Sequence, residues 1–165
     1  MRRLAFAALL CLTLGACGFH LRGSATLPFK TLYIDASPAS VMATQLRRVI
    51  GSQSETRITN NVAEADAALQ LLAEAQEQEI LSLSAGGRVR ELQLRYRVRY
   101  QVLDKNKTII APISEIVLRR DFSVNDQDPR GMDSEQALLF RDMQTDAAYQ
   151  LVRRLQAVTR TAEKT

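Results

Sequence analysis

Arg90-Glu91-Leu92-Gln93-Leu94-Arg95-Tyr96-Arg97-Val98-Arg99-Tyr100-Gln101-Val102 is the stretch that decides the fold. After Arg90, every even position is Leu, Tyr or Val, and every odd position is Glu, Gln or Arg. A period of two is the signature of a strand, because successive side chains leave opposite faces of a pleated backbone. One face must therefore lie on a core and the other in water or on a polar partner, as in an antiparallel sheet.

Working outward, Gly86-Gly87 precedes this strand and forms a good primed-turn dipeptide, which makes Ala67 to Leu83 its hairpin partner even though Ala, Leu, Glu and Gln also favour helix. Lys105-Asn106-Lys107 marks a second turn into a strand over Thr108 to Val124. That strand should be bulged at Pro112 and so stand at an edge. Thr31 to Asp35 and Arg57 to Thr59 read as short strands. Between them, Ser37-Pro38 resembles a helix N-cap followed by Pro, with Met42, Leu46, Val49 and Ile50 on one face and a stop at Gly51. After a polar loop over 125–131, Asp133 or Ser134 can cap a long helix. Its apolar stripe is Phe140, Met143, Ala147, Leu151, Leu155 and Val158. The expected class is α+β, with two helices on one face of a roughly four-stranded, mostly antiparallel sheet.

Composition narrows the function. The 165 residues are 46% hydrophobic, enough for one core and too few for two. The chain has one His and two Cys, which excludes multi-ligand structural zinc sites and a disulfide scaffold, and leaves little for histidine-based catalysis. A formal charge of +4 is too small to define a nucleic-acid binder. Asp126-x-Asp128-x-Arg130-Gly131 begins like a calcium loop, but Arg130 occupies a ligand position and Ala137 stands where the bidentate Glu belongs, so no metal site is expected. The expectation is a protein that is not an enzyme and needs no cofactor.

The first residues carry an address. Arg2-Arg3 is a basic segment ahead of the apolar run Leu4 to Leu14, about 16 Å of helix, half of what a bilayer requires. The run ends in Leu14-Gly15-Ala16-Cys17, which resembles the lipobox of bacterial lipoproteins. That resemblance implies cleavage between Ala16 and Cys17, diacylglycerol on the Cys17 thiol and a further acyl chain on its amine, more than enough for stable anchoring. Gly18 after the Cys, where Asp would retain the protein at the inner membrane, points to the inner leaflet of the outer membrane. Loss of Arg2 and Arg3 with the leader reduces the charge to +2. The expected organisation is a signal peptide over 1–16, a lipid-anchored tether over 17–30, one α+β domain over 31–160 and a frayed tail over 161–165.

Behind Cys17 stands Gly18-Phe19-His20-Leu21-Arg22-Gly23. A lipobox running into this motif resembles the start of the LptE family of lipopolysaccharide-assembly lipoproteins. Weaker echoes follow at Arg119-Arg120-Asp121-Phe122 and Gln150-Leu151-Val152-Arg153-Arg154-Leu155. The resemblance implies an α+β plug inside the LptD β-barrel that helps the barrel assemble and helps place lipopolysaccharide at the cell surface. A free-standing pilot or ligand-binding lipoprotein of another secretion system is the alternative.

Charge distribution supplies candidate contacts. Residues 60–85 carry five acids and no base, while Arg88, Arg90, Arg95, Arg97 and Arg99 crowd the next arm. Arg88 and Arg90 beside the glycine turn, with Arg130 in the later loop, are the candidate contacts for lipopolysaccharide phosphates, which guanidinium groups recognise bidentately. Arg95, Arg97 and Arg99 are secondary candidates, or else cross-strand partners of the acids. A two-residue turn sets Glu74 opposite Arg99 and Arg95 and Arg97 opposite Gln78 and Gln76. A slip of one residue sets Glu79 and Glu77 opposite Arg95 and Arg97.

Overall fold

The alternation at 90–102 builds the central long strand of a five-stranded mixed sheet. A computed structural model describes residues 26–124 and 129–158, without the side chains of Pro129 and Arg130. The strands are β1 (Thr31–Asp35), β2 (Arg57–Thr59), β3 (Ala67–Leu83), β4 (Val89–Asp104) and β5 (Ile109–Ser123), in the order β2-β1-β3-β4-β5. The two helices are α1 (Val41–Gln53) and α2 (Pro129–Ala157), and a one-turn 3₁₀ helix spans Val62–Glu64. The sheet thus has one strand more than expected, because the short β2 joins it as an edge, parallel to β1. β1 is also parallel to β3, whereas β3, β4 and β5 form an antiparallel meander.

Both helices cover one face. Leu94, Tyr96, Val98 and Val102 of β4 are buried beneath Met42, Leu46 and Ile50 of α1 and Met143, Ala147, Leu151 and Leu155 of α2, in one continuous core. These are the stripes that the two helical periods predict. The opposite face, carrying Arg95, Arg97 and Arg99, has no layer over it among the described residues.

Three boundaries differ from expectation. Helix α1 is capped by Ser40, whose Oγ accepts from the Ala43 amide at 3.0 Å, and not by Ser37; it runs through Gly51 to a C-cap at Ser54. Ser37 instead closes the preceding turn, accepting the Ser40 N–H at 2.9 Å. Helix α2 begins at Pro129 and not at Asp133 or Ser134, since proline is well suited to a first helical position that needs no N–H partner.

The hairpin has neither expected register. Ser84 and Arg88 close a three-residue loop, with Gly87 left-handed at φ 75° in its last position, so the turn is Ala85-Gly86-Gly87 and not a two-residue Gly-Gly turn. Arg95 consequently stands opposite Glu77, Arg97 opposite Ala75 and Arg99 opposite Ala73. A shift between Leu71 and Ala73 exchanges the faces of β3, turning Glu74 toward the helices. β5 does stand at the edge, and its register shifts across Pro112, as expected.

Candidate functional site

On the uncovered face, arginines and acids interleave across three strands. Arg95 Nη2 lies 2.7 Å from Glu79 and Nη1 3.5 Å from Glu77; Arg97 reaches Glu77 at 3.4 Å and Glu115 at 3.6 Å. Only Arg95–Glu77 is a directly opposite pair, and the others form diagonally, so the Arg95–Glu79 and Arg97–Glu77 pairs expected from the slipped register do form although the strands stand in neither expected register. The Nε atoms of Arg95 and Arg97 are buried without a hydrogen bond, pressed into this ladder by their neighbours. Arg99 is exposed and makes no ion pair among the described residues; Arg119, opposite Arg95, is likewise exposed. This face is therefore polar, charged in both signs and largely self-satisfied.

The far end of the hairpin is different. At about 3.3 Å per residue the 17 residues of β3 place the Ala85-Gly86-Gly87 turn about 55 Å from the end where β3 begins. The Arg88 backbone closes that turn, its amide also donating to Ser84 Oγ at 3.1 Å, and Arg90 is exposed just beyond. The Val124 amide donates to the Arg90 carbonyl at 2.8 Å, so the segment leading from β5 to α2 departs from beside the tip. Arg130 falls in the first turn of α2 and not in the loop; its side chain lies outside the described residues. The backbone thus brings the Arg88 and Arg90 positions to the exit of the segment that leads to Arg130.

Sequence reasoning missed what accompanies these arginines. Ile80, Leu81 and Leu83, the last apolar residues of β3, are 56%, 47% and 56% exposed, and Leu138 of α2 is 55% exposed. The signal was available: Ile80-Leu81-Ser82-Leu83 runs apolar up to the turn, which is unusual for a strand end in water. Cations beside exposed branched side chains make an amphipathic end, able to meet anionic groups and hydrocarbon at once.

A further carboxylate escaped notice as a structural element. Glu74, turned inward by the shift at Leu72, accepts from Ser40 Oγ at 2.6 Å, the Met42 amide at 3.1 Å and the Tyr96 hydroxyl at 2.7 Å. It ties the start of α1 to the sheet. Burial, together with the bond to the Glu74 carboxylate, pushes the Tyr96 phenol far above its ordinary range, so Tyr96 is a permanent donor. Cys17 and Ala16 lie outside the described residues. Among the described residues no helix is long and apolar enough to cross a membrane.

Known proteins resemble this chain in sequence and in fold. The family model "LptE: Lipopolysaccharide-assembly" matches residues 29–155. The LPS-assembly lipoprotein LptE of Pectobacterium atrosepticum is 30% identical over 150 residues, covering 89% of this chain and 80% of its own length. The protein of the same name from Photorhabdus laumondii is 29% identical over 150 residues, covering 89% and 81%. Among solved structures, lipoprotein B from Nitrosomonas europaea superposes with a TM-score of 0.76 at 36% identity, over 86% of this chain and 92% of that one. With the matched region running from the entry to β1 to the last turn of α2, the chain belongs to the LptE family of lipopolysaccharide-assembly proteins.

Proposed function

We propose that this protein is an outer-membrane lipoprotein, anchored through lipid on Cys17, that fills the lumen of an LptD-type β-barrel, assists the assembly of that barrel and takes part in delivering lipopolysaccharide to the cell surface. Family membership supports the assembly role, and the shape of the domain supports the plug. The interior of a wide outer-membrane barrel is polar, and the uncovered sheet face offers it the interleaved charges of Arg95, Arg97, Glu77, Glu79 and Glu115 instead of an apolar surface. The chemistry is binding and templating.

One observation carries the ligand reading: the hairpin tip combines Arg88 and Arg90 with exposed Ile80, Leu81 and Leu83. Lipid A has that same duality, phosphates above acyl chains, and guanidinium groups hold phosphates by charge-assisted pairs of hydrogen bonds. Arg88, Arg90 and Arg130 are the proposed headgroup contacts; Arg99 is a secondary one, while Arg95 and Arg97 serve the ladder. Replacing Arg88, Arg90 and Arg130 together by Ala should weaken lipopolysaccharide binding by at least about tenfold, the factor that follows from losing a single charge-assisted bond of about 1.5 kcal/mol, with an unchanged circular dichroism spectrum. Unchanged affinity would remove the tip as the binding site.

A further inference from the structure

The end of the sheet opposite the hairpin tip gathers a second set of cations, and they are lysines. Register places them together: β1 and β3 begin there, β4 ends there at Asp104, and the turn to β5 lies between Asp104 and Thr108. Lys30 enters β1 with its amide on Asp66 Oδ2 at 3.0 Å, and Lys105 and Lys107 flank Asn106 in the turn. All three are exposed and make no ion pair among the described residues, although Lys30 is near enough to Asp66 for its charge to help lower that carboxyl, and the acids of this end, Glu64, Asp66 and Asp104, each accept hydrogen bonds from neighbouring groups. Asp66 accepts the Lys30 and Thr31 amides, and Asp104 Oδ1 accepts the Asn106 and Thr108 amides at 2.8 Å. Apolar groups stand among the lysines. Val62 is 58% exposed and Ile109 57% exposed, and a recess of about 420 Å³ lined by Tyr33, Val62, Ala63 and Leu103, with Asp35 and Asp104 also on its wall, opens beside Lys105 and Lys107.

Backbone conformation sharpens the point. The two hairpins of the meander close in the same way, with a left-handed residue before the closing partner. The distal one uses Gly87 at φ 75°, the proximal one Lys107 at φ 64°. A side chain in that region costs about 1–2 kcal/mol that glycine avoids, so the proximal turn keeps a lysine against its own conformational preference.

We propose that this lysine-bearing end docks on the anionic bilayer surface beneath which the chain is tethered, with Lys30, Lys105 and Lys107 on lipid phosphates and Val62 and Ile109 at the headgroup–acyl boundary. The inference rests on the anchoring of Cys17. Residues 17–25 can span at most about 30 Å, so the tether holds this end close to the membrane, while the arginine tip points about 55 Å away. Lysines around exposed branched side chains suit that boundary, where the stems lie along hydrocarbon and the ammonium groups reach water and phosphate.

The lipidated protein, whose only cysteine is acylated, offers a clean test. Asn106→Cys carries a fluorophore at the proximal turn and Ala85→Cys carries one at the distal tip, in vesicles of phosphatidylethanolamine with phosphatidylglycerol as the minor component, or of neutral phosphatidylcholine. Spin-labelled lipid should quench the label at 106 in the anionic vesicles, less in the neutral ones, and leave the label at 85 bright. Lys30→Gln, Lys105→Gln and Lys107→Gln should each weaken the quenched state about fivefold, and salt should weaken it further. Lys107→Gly provides the folding control: its unfolding midpoint should rise by about 3 °C while quenching falls. Equal quenching in both vesicles, quenching indifferent to the lysines, or a label at 106 unquenched on vesicle-bound protein would overturn the proposal. A chain that fails to float with neutral vesicles would instead count against the anchor, and the anionic vesicles would still report on the lysines.

Discussion

Glu74 joins two elements through three short hydrogen bonds, and its position depends on one irregular residue. Ala67, Leu69 and Leu71 face the helices with odd parity; after the shift at Leu72 the even residues Glu74, Gln76, Gln78 and Ile80 take that face. Reading parity straight through assigns Glu74 to the solvent face as an arginine partner, and nothing in the sequence marks the shift. Glu74→Ala should destabilise the domain by about 3 kcal/mol, because the fully buried Tyr96 hydroxyl would lose its partner and α1 part of its cap. Glu74→Gln, which keeps an acceptor, should cost about 1 kcal/mol by the same rule. Denaturant midpoints decide, and equal losses for the two variants would show that packing, not hydrogen bonding, is at stake. Asp66 makes a pH-dependent counterpart. The Thr31 amide and hydroxyl, then the Lys30 amide, hold its carboxyl below the ordinary 3.8. A lowered folded-state value means stability that is present above the ordinary range and lost as pH falls through the folded value. The stability gap between wild type and Asp66→Asn should be constant near neutrality and close below about pH 4. A gap that persists at acid pH would refute the carboxylate's role.

At the scale of elements, the edge strand β5 shows how a long exposed ladder is kept from pairing with other chains. With the Val124 N–H turned toward β4, alternation turns the carbonyls of Glu115 and Arg119 outward. Both meet guanidinium groups: Arg154 Nη1 donates to the Glu115 carbonyl at 2.8 Å, and Arg120 Nη1 to the Arg119 carbonyl at 3.0 Å. Pro112 interrupts the remainder. Such blunting is what an edge requires. Arg120→Ser with Arg154→Ser should leave the fold intact and raise the concentration-dependent self-association seen by sedimentation; a variant that stays as monomeric as wild type would show the arginines to be incidental. Strand identities were legible from local signals: β1 and β2 occupy the residues that their patterns mark, and β3 occupies the residues that its hairpin with β4 implies. Turn length and bulges were not, since Gly86-Gly87 fits two- and three-residue loops equally, and it is the Ser84–Arg88 closure that distinguishes them. The start of α2 was missed for a similar reason, as Pro129 serves a turn as readily as a first helical position.

Taken whole, the molecule has two cationic ends and a mixed-charge flank. Arginines with branched apolar residues occupy the distal tip, lysines with Val62 and Ile109 the proximal end, and paired arginines and acids the uncovered sheet face. Sequence alone separated the arms of the hairpin by charge and offered arginines as candidate contacts. The apolar run at 80–83 was visible in it too, but its exposure depends on where the helices stop covering the sheet. The arrangement suits a rod set across a membrane boundary, tethered at one end, contacting a partner along its flank and offering a ligand surface at the other. Outer membranes solubilised in mild detergent, with the tagged lipoprotein purified and its native mass measured, should yield a one-to-one complex with an LptD-type barrel; recovery of the free lipoprotein, or of a different stoichiometric partner, would contradict the account.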